Sequence, residues 1–280
     1  PQMLITASAE SMSLESSRRN QGQENGATAD ALTLLGEIRM IQGDLASAEK
    51  LAQEGLRINR TLRGPESIQV AEDINNIATV NINKGDWKKA EEGFRESLAI
   101  YRKALGDKAD ESEEIAAVLN NLAMLLKFEK RISEAMPLYL ESTRITRNIF
   151  GPNHPYLASS LNNLGMLYME VKNYPEAEKL LQEALSINRK ELGESRATAI
   201  TLANLGLLNL ERGQLSLAEE YCRQALAMAE IVYGGNNPEL ADYLQRLGIV
   251  LSKERKFSEA EASLRKALSL RLLQYESNHF

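Results

Sequence analysis

The sequence has little cysteine, little histidine and few aromatic residues. It contains one cysteine, Cys222, and two histidines, His154 and His279, among 280 residues. A single cysteine excludes a disulfide framework within the chain. One cysteine and two remote histidines also lack the spacing of a zinc site and form no Cys/His pair for nucleophilic catalysis. We therefore predict that the protein is not an enzyme and holds no metal and no cofactor. We expect Cys222 to be buried as a small apolar residue, and His154 to help start a helix.

Long apolar runs and clusters of basic residues are also missing. No run of 18 apolar residues occurs, so no segment is predicted to cross a membrane. The net charge is −6, and no group of five or more Lys or Arg residues exists. This balance disfavours nucleic acids and anionic membranes as partners. Residues 1–14 lack the basic start and the long apolar core of a signal peptide. The chain begins with Pro1 instead of Met, so we expect it to be a piece of a longer chain. We predict a cytoplasmic protein, with an organellar targeting segment upstream left open.

The sequence does contain helix-forming residues in a repeating pattern. Apolar residues make up 43% and aromatic residues only 5% of the chain, which favours helix over sheet. A small residue closes a segment such as Leu-Asn-Asn-Leu and recurs at intervals of 42, 45, 42, 41 and 42 residues. These marker residues are Gly36, Ala78, Ala123, Gly165, Gly206 and Gly248. Near-equal intervals of this length are typical of repeat proteins built from helical hairpins.

Three further columns keep the same register. Alanine stands seven residues before and twelve residues after every marker, and a small residue stands nineteen after it. Strictly small columns predict that helix backbones approach closely at these positions. Each repeat is predicted to contain a helix A with the marker, a short turn, and a helix B with the pattern Ala-Glu-x-x-Leu. A helix-stopping glycine closes five repeats, at Gly64, Gly106, Gly151, Gly193 and Gly234.

This register divides the chain into six repeats. We predict repeats over residues 29–70, 71–115, 116–157, 158–198, 199–240 and 241–280, with 29–276 forming one continuous domain. Residues 1–28 are predicted to hold helix B of a truncated preceding repeat, over residues 3–20, and a linker. An unrelated capping helix or a frayed segment stays the alternative there. The predicted fold class is all-α, a single superhelical array.

These columns resemble the tetratricopeptide repeat (TPR), whose Leu-Gly in helix A and alanine in helix B they match. The 42-residue length, the Leu-Asn-Asn-Leu-Ala segment and Gly-Pro-Asn-His-Pro-Tyr-Leu-Ala at 151–158 look like the kinesin light chain type of repeat. The resemblance covers residues 29–275. It implies a right-handed superhelical solenoid of helix-turn-helix repeats, with helices A lining a concave side that binds peptides.

A polar column lies on helix A, opposite the face that packs on helix B. At about 100° per residue, the positions two and six before the marker fall on this opposite face. Asparagine is a mediocre helix former, so its recurrence there needs a reason. The amides could hydrogen-bond the backbone of an extended peptide, or they could tie neighbouring helices together, and both remain open. The predicted peptide-binding groove consists of Asn76, Asn120, Asn121, Met124, Lys127, Asn162, Asn163, Met166, Asn204 and Arg246.

The charges on this face are mixed, which limits the predicted ligand. The acidic residues on this face outnumber the basic ones: they are Asp30, Glu37, Glu72, Glu170, Glu211 and Asp242, against Lys127, Arg246 and Lys253. An acidic peptide would need more basic residues, so we predict a protein or peptide ligand that is neutral, apolar or locally basic. Met124 and Met166 suit adaptable contact with apolar side chains, or else fill gaps between helices A.

Two features of helix B complete the pattern. Arginine recurs at Arg60, Arg102, Arg147 and Arg189. We expect these arginines to pair with acidic residues or terminal carbonyls of their own turn, and the many glutamates to lie on solvent faces. The last helix B, about residues 257–275, ends in leucines that no following repeat covers. It predicts either a longer array or a homotypic contact through this helix.

The sequence thus predicts a non-catalytic protein–protein interaction scaffold or adaptor that binds a peptide segment in the groove lined by helices A. Two alternatives remain open. One is a self-assembling structural scaffold. The other is the regulatory TPR region of a larger protein whose effector domain lies outside this chain.

Overall fold

The computed structural model describes residues 25–277, and all regular structure in that part is helical. Twelve α-helices follow one another there, with one 3-10 helix at Gly106–Glu111. They are α1 (Gly26–Ile41), α2 (Leu45–Arg63), α3 (Ile68–Lys84), α4 (Trp87–Leu105), α5 (Glu113–Phe128), α6 (Ile132–Phe150), α7 (Pro155–Glu170), α8 (Tyr174–Glu191), α9 (Arg196–Glu211), α10 (Leu215–Tyr233), α11 (Leu240–Lys253) and α12 (Phe257–Ser277). Odd-numbered helices are the predicted helices A and even-numbered helices are the predicted helices B, which confirms the all-α fold class. The helix predicted over residues 3–20 and the predicted role-free His279 lie outside the described residues.

The chain forms two compact units, residues 1–145 and 146–280. The border falls within α6, between Ile145 and Thr146. In the described part of each unit, a helix A packs on the helix B that follows it, and helix B packs on the next helix A. The predicted repeat boundaries fall one to three residues after the first residue of each helix A, and they stay a prediction.

His154 starts α7, as expected. Its Nδ1 atom accepts a hydrogen bond from the backbone N–H of Tyr156 at 3.2 Å, and Pro155 takes the first helical position. A proline costs nothing at that position, because its missing N–H would have no partner within the helix. The imidazole also stacks on Phe150, with ring centroids 4.5 Å apart. This turn residue therefore has a structural role within the second unit.

A left-handed residue ends every helix A. Seven residues after each marker φ is positive, at Gly43, Gly85, Lys130, Lys172, Gly213 and Arg255. At the first of these turns Gly43 N–H donates to the carbonyl of Met40 and Asp44 N–H to that of Arg39, at 3.0 and 2.9 Å. This pair of bonds satisfies carbonyls that the end of a helix leaves free. Glycine adopts the conformation without strain, whereas Lys and Arg do so at a cost of roughly 1–2 kcal/mol.

The marker column and the alanine column twelve residues later face each other within each repeat. A Cβ atom on Gly206 would lie 2.7 Å from Cys222 Sγ and 3.5 Å from the carbonyl oxygen of Ala218. A Cβ atom on Gly165 would lie 3.3 Å from the carbonyl oxygen of Ala177. The predicted close approach of helix backbones is therefore confirmed. Cys222 is buried as expected, and burial raises the pKa of its thiol to about 11.

The small column nineteen residues after the marker meets the alanine column seven residues before it. Ser97 Oγ donates to the carbonyl of Ala71 at 2.7 Å, and Ser142 Oγ donates to that of Ala116 at 2.8 Å. All four residues are buried. A hydroxyl fits this column because it is small and its hydrogen-bonding need is met by the facing backbone.

The arginine column on helices B pairs with the next helix B. Each arginine lies 24 residues after its marker, and its partner lies 18 residues after the following marker. The pairs are Arg60–Glu96 at 3.3 Å, Arg102–Glu141 at 2.8 Å and Arg147–Glu183 at 2.8 Å, and Arg189 donates to Gln224 at 2.9 Å. The expectation of partners in the same turn was wrong, because the stacking of repeats places an acidic residue of the neighbouring helix within reach.

The last pair in this column reverses its charges. Glu230 occupies the arginine position and Lys266 occupies the glutamate position, 3.2 Å apart. Exposed pairs of this kind contribute roughly 0–1 kcal/mol each. Since either polarity works, the common feature is the pairing of adjacent helices B.

A second set of ion pairs uses the glutamate of the Ala-Glu pattern. Glu91 accepts from Arg131 at 2.6 Å and Glu219 accepts from Lys256 at 2.5 Å, in both cases from the turn region of the next repeat. The two carboxyl side chains are only 18% and 14% exposed, so their assignment to solvent faces was wrong. Hydrogen bonds from Lys256 and Arg223 lower the pKa of Glu219 to about 2. Equivalent pairs are Glu49–Lys84 and Glu178–Arg212.

We expect Lys172→Gly to raise the free energy of unfolding by about 0.5–1 kcal/mol. Lys172 is exposed and has φ of 60°, so glycine removes left-handed strain and loses no buried contact. Urea unfolding measures the difference. Lys172→Ala is the matched control, because alanine keeps the strain. A glycine variant no more stable than the alanine variant would contradict the strain.

We expect Glu219→Gln to lower the free energy of unfolding by about 1 kcal/mol at neutral pH. Because the folded-state pKa of Glu219 lies below its ordinary value of 4.5, the stabilisation is complete above about pH 4.5 and is lost as the pH falls towards 2. The difference between variant and wild type should shrink across that window in thermal unfolding. Glu261→Gln is the control, since Glu261 is 62% exposed and pairs with Arg265 of its own helix. An equal effect of both substitutions would refute the inter-repeat role of Glu219.

Candidate functional site

The residues of the predicted groove lie on helices A, where they are mostly half-buried. In the first unit these are Asn76, Asn120, Asn121 and Lys127, while Met124 is 45% exposed. In the second unit Asn162, Asn163, Met166 and Arg246 are half-buried, and Asn204 is 7% exposed. Whether they bind a ligand stays a prediction.

In the first unit the polar column contacts its neighbours. Asn76 Nδ2 donates to Glu37 Oε1 on α1 at 3.1 Å, which ties α3 to the preceding helix A. Phe128, at the end of α5, is 66% exposed and stacks on Trp87 with ring centroids 4.6 Å apart. Here the structural interpretation of the column, with amides joining neighbouring helices, applies to Asn76.

In the second unit the column joins helices and also lines open space. Asn204 Nδ2, on α9, donates to Asn162 Oδ1, on α7, at 3.0 Å. A cavity of about 220 Å³ lies between α7 and α9, and a second of about 200 Å³ lies between α9 and α11. Ile200 lines both, so the two cavities are adjacent along α9. We call them together the A-face groove.

The first cavity carries no charged side chain. Its lining residues are Ala158, Ser159, Asn162, Asn163, Asn188, Ala197, Ile200 and Thr201. Asn188 comes from α8, a helix B, and its Nδ2 atom donates to Thr201 Oγ1 at 3.2 Å. The Oδ1 atom of Asn188 is buried and has no hydrogen-bond partner.

The second cavity is charged with both signs. Its lining residues are Arg196, Ile200, Ala203, Asn204, Tyr233, Glu239, Asp242, Tyr243 and Arg246. Arg271 of α12 donates to Asp242 at 2.7 Å, so this carboxylate is paired from outside the cavity. Burial raises the pKa of Tyr243, and its hydroxyl therefore stays a hydrogen-bonding group rather than a charge.

The structure brings four of the predicted residues together at the A-face groove: Asn162, Asn163, Asn204 and Arg246. Met166 and the predicted residues of the first unit lie outside these two cavities. Ser159 and Ile200 were missed although they lie six residues before their markers, a position already assigned to this face. Asn188 and Tyr233 were missed because they lie on helices B, where no position had been assigned to a binding surface.

Two further searches concern residues 25–277 alone. In that part of the chain, no group of three or more His, Cys, Asp or Glu side chains could hold a metal ion. Among the helices described there, none has both the length and the apolar character needed to cross a membrane.

The sequence profile of the tetratricopeptide repeat matches residues 27–103, 114–190, 156–231 and 198–272. No curated protein matches the chain at a significant level. BtubC (BKLC) from P. vanneervenii shares 24% identity with a TM-score of 0.67, over 84% of this chain and 92% of BtubC. A kinesin-light-chain-like protein of P. anserina with nearly identical TPR-like repeats shares 20% identity with a TM-score of 0.63, over 74% of this chain and 97% of that protein. The apo form of RapI shares 15% identity with a TM-score of 0.68, over 98% and 93% of the two chains.

At these identities the similarity to solved structures concerns the fold. Repeats of the kinesin light chain type are among the structural neighbours, as the inter-repeat sequence predicted. The profile matches extend over most of residues 27–272, and the helix pairs follow the predicted register. The chain therefore belongs to the tetratricopeptide repeat family.

Proposed function

We propose that this protein is an adaptor that binds an extended segment of a partner protein in the A-face groove. Proteins of the TPR family generally serve as non-catalytic scaffolds for protein–protein interaction. The observation that carries the finer proposal is the pair of adjacent cavities on one helix-A face, lined by Asn162, Asn163, Asn204 and Arg246.

The repeat spacing supports an extended ligand. Packed helices lie about 8–10 Å apart, so neighbouring cavities between successive helices A are separated by about one such step. An extended chain advances about 3.3 Å per residue, and its alternate side chains point to the same side. Side chains two or three residues apart along a peptide would therefore reach the two cavities.

The contact between Asn204 and Asn162 supports recognition as well as stability. An amide offers two N–H donors and an oxygen acceptor, and this contact uses one group of each residue. The bond fixes the orientation of both amides before a ligand arrives. Fixing a binding group in advance lowers the entropic cost of binding.

The charges of the groove support a neutral or weakly charged ligand. The first cavity is uncharged, and the second contains Arg196 and Arg246 together with Glu239 and Asp242. A strongly acidic segment would meet these carboxylates, and a strongly basic one would meet the two arginines. This agrees with the neutral, apolar or locally basic ligand that the sequence predicted.

Peptides selected from a random display library against the wild-type protein test this proposal. We expect Asn163→Ala combined with Arg246→Ala to weaken binding of the selected peptides about tenfold, because each substitution removes a hydrogen-bonding group from one cavity. Fluorescence polarisation with labelled peptides measures the change. Lys179→Ala combined with Lys190→Ala is the control, since both lysines are about two-thirds exposed on α8. Unchanged affinity in the groove variant, or a library that yields no binder, would reject the groove as a peptide site.

A second candidate function is self-assembly, with a second copy of this chain as the partner. The last helix, α12, exposes Leu264, Leu268 and Leu272 to 40%, 58% and 54%. A contiguous exposed apolar face on a protein surface often marks an interface.

If α12 mediates self-assembly, the sedimentation coefficient should rise with protein concentration. Leu268→Glu combined with Leu272→Glu should abolish that rise, because charged side chains oppose burial of this face. Lys190→Ala serves as a control at an exposed site of the same unit. A wild-type chain that sediments as a monomer at every concentration excludes this function.

A further inference from the structure

The cavity between α7 and α9 contains a buried acceptor without a partner. Asn188 is 2% exposed, and its Oδ1 atom makes no hydrogen bond. An unpaired buried polar atom costs free energy, and most such atoms in folded proteins are paired. Asn188 also lines the cavity. The unpaired oxygen is therefore available to a group that enters this space.

The neighbouring hydroxyl fixes which end of the Asn188 amide is free. Thr201 Oγ1 donates its hydrogen to the carbonyl of Ala197 at 2.9 Å, so towards Asn188 it acts as an acceptor. Asn188 Nδ2 fills that role as donor at 3.2 Å. In the opposite amide orientation, two acceptors would face each other. The unpaired atom is therefore the oxygen, and it needs a donor.

The lining of the cavity selects a neutral donor. No charged side chain is part of the lining. An ammonium or guanidinium group would be buried there without a carboxylate partner, which is costly. A carboxylate would place its own oxygens against Asn188 Oδ1. Hydrocarbon side chains would leave the oxygen unpaired.

A second polar group supplies the complementary function. Asn162 Oδ1 accepts from Asn204, so the Asn162 amide contributes N–H donors to the cavity. An acceptor on Asn188 and a donor on Asn162 match the two ends of a primary carboxamide, which donates through nitrogen and accepts through oxygen.

We propose that this cavity binds the side-chain carboxamide of a glutamine or asparagine in the partner segment. The ligand nitrogen donates to Asn188 Oδ1, and the ligand oxygen accepts from Asn162 Nδ2. The proposal rests on peptide binding in the A-face groove and adds the side-chain preference of one subsite.

The same position differs in the other repeats. Asn188 lies 23 residues after its marker, where other repeats have Tyr101, Thr146 and Ala229. In the first unit Asn59 is the equivalent amide, but its Nδ2 atom donates to the buried carboxylate of Asp73 at 2.7 Å. A neutral cavity with a free amide oxygen is thus specific to the region between α7 and α9 among these positions.

Capped single residues of the form N-acetyl-Xaa-N-methylamide test the proposal, with Xaa as Gln, Glu, Lys or Leu. They are titrated into the ¹⁵N-labelled protein while the side-chain amide signals of Asn188 and Asn162 are followed by NMR. We expect the Gln probe to shift both signals with a millimolar Kd, and the other probes to bind at least about fivefold more weakly. Asn188→Leu should remove the preference for Gln.

Asn209→Leu is the matched control. Asn209 is a buried amide of the same unit, its Nδ2 atom donates to the carbonyl of Leu205 at 2.8 Å, and its Oδ1 atom is also unpaired. It does not line this cavity. The control should keep the preference for Gln, which separates loss of the cavity acceptor from loss of a buried amide. If Asn188→Leu does not fold, Ser159→Leu fills the cavity from an exposed lining position and should have the same effect.

Equal binding of the Leu and Gln probes overturns the proposal. So does an unchanged preference in the Asn188 variant, or the absence of any shift up to the solubility limit of the Gln probe. If library peptides bind in the A-face groove but show no preference for Gln or Asn, only this inference fails. If the capped Gln binds while the library yields no binder, the proposed function fails instead.

Discussion

The close approach of helix A and helix B within each repeat is the constraint on which the other features depend. At Gly206 even one added carbon would lie 2.7 Å from Cys222 Sγ, so the size of the marker residue limits how near the helices can pack. The two other small columns extend this contact along the helix pair, through bonds such as that from Ser97 to the carbonyl of Ala71. Side chains on the outer faces then join one repeat to the next. Because these contacts are local, stability is approximately a sum of repeat and neighbour terms.

The features that could be predicted from sequence are those that the backbone imposes at fixed offsets. A small column has few acceptable residues, so it is visible in every repeat. The left-handed position at the end of helix A was visible only where it holds glycine, because Lys130, Lys172 and Arg255 carry no sequence signal for that conformation. The partners of the arginine column were assigned wrongly for a related reason. A single helix shows which side chains share its face, but it does not show which helix lies beside that face. The recurring separation of Arg60 and Glu96 from their markers contained that information once successive repeats were stacked.

The candidate site was predictable in part, by the same division. Helix angles placed Asn162, Asn163, Asn204 and Arg246 on one face, and they line the A-face groove. Asn188 was outside that prediction because it belongs to helix B and reaches the cavity only through the packing of two repeats. The two interpretations of the asparagine column also proved compatible. Asn204 donates to a neighbouring helix and lines a cavity at once, since one bond does not exhaust an amide.

This surplus of hydrogen-bonding groups explains how one repeat position can serve stability in one unit and recognition in the other. Asn59 and Asn188 each use Nδ2 to join helix B to the next helix A, and each keeps an unpaired Oδ1. In the first unit the partner is Asp73, whose carboxylate also accepts from Thr33, and burial raises its pKa. A carboxylate there commits the surrounding groups to donating inward, since an ionised buried group is costly without such bonds. In the second unit the partner is Thr201, which is neutral and already satisfied by its own helix. The Asn188 oxygen is therefore the one polar requirement left unmet between these two residues, and a neutral donor from a ligand is the group that meets it.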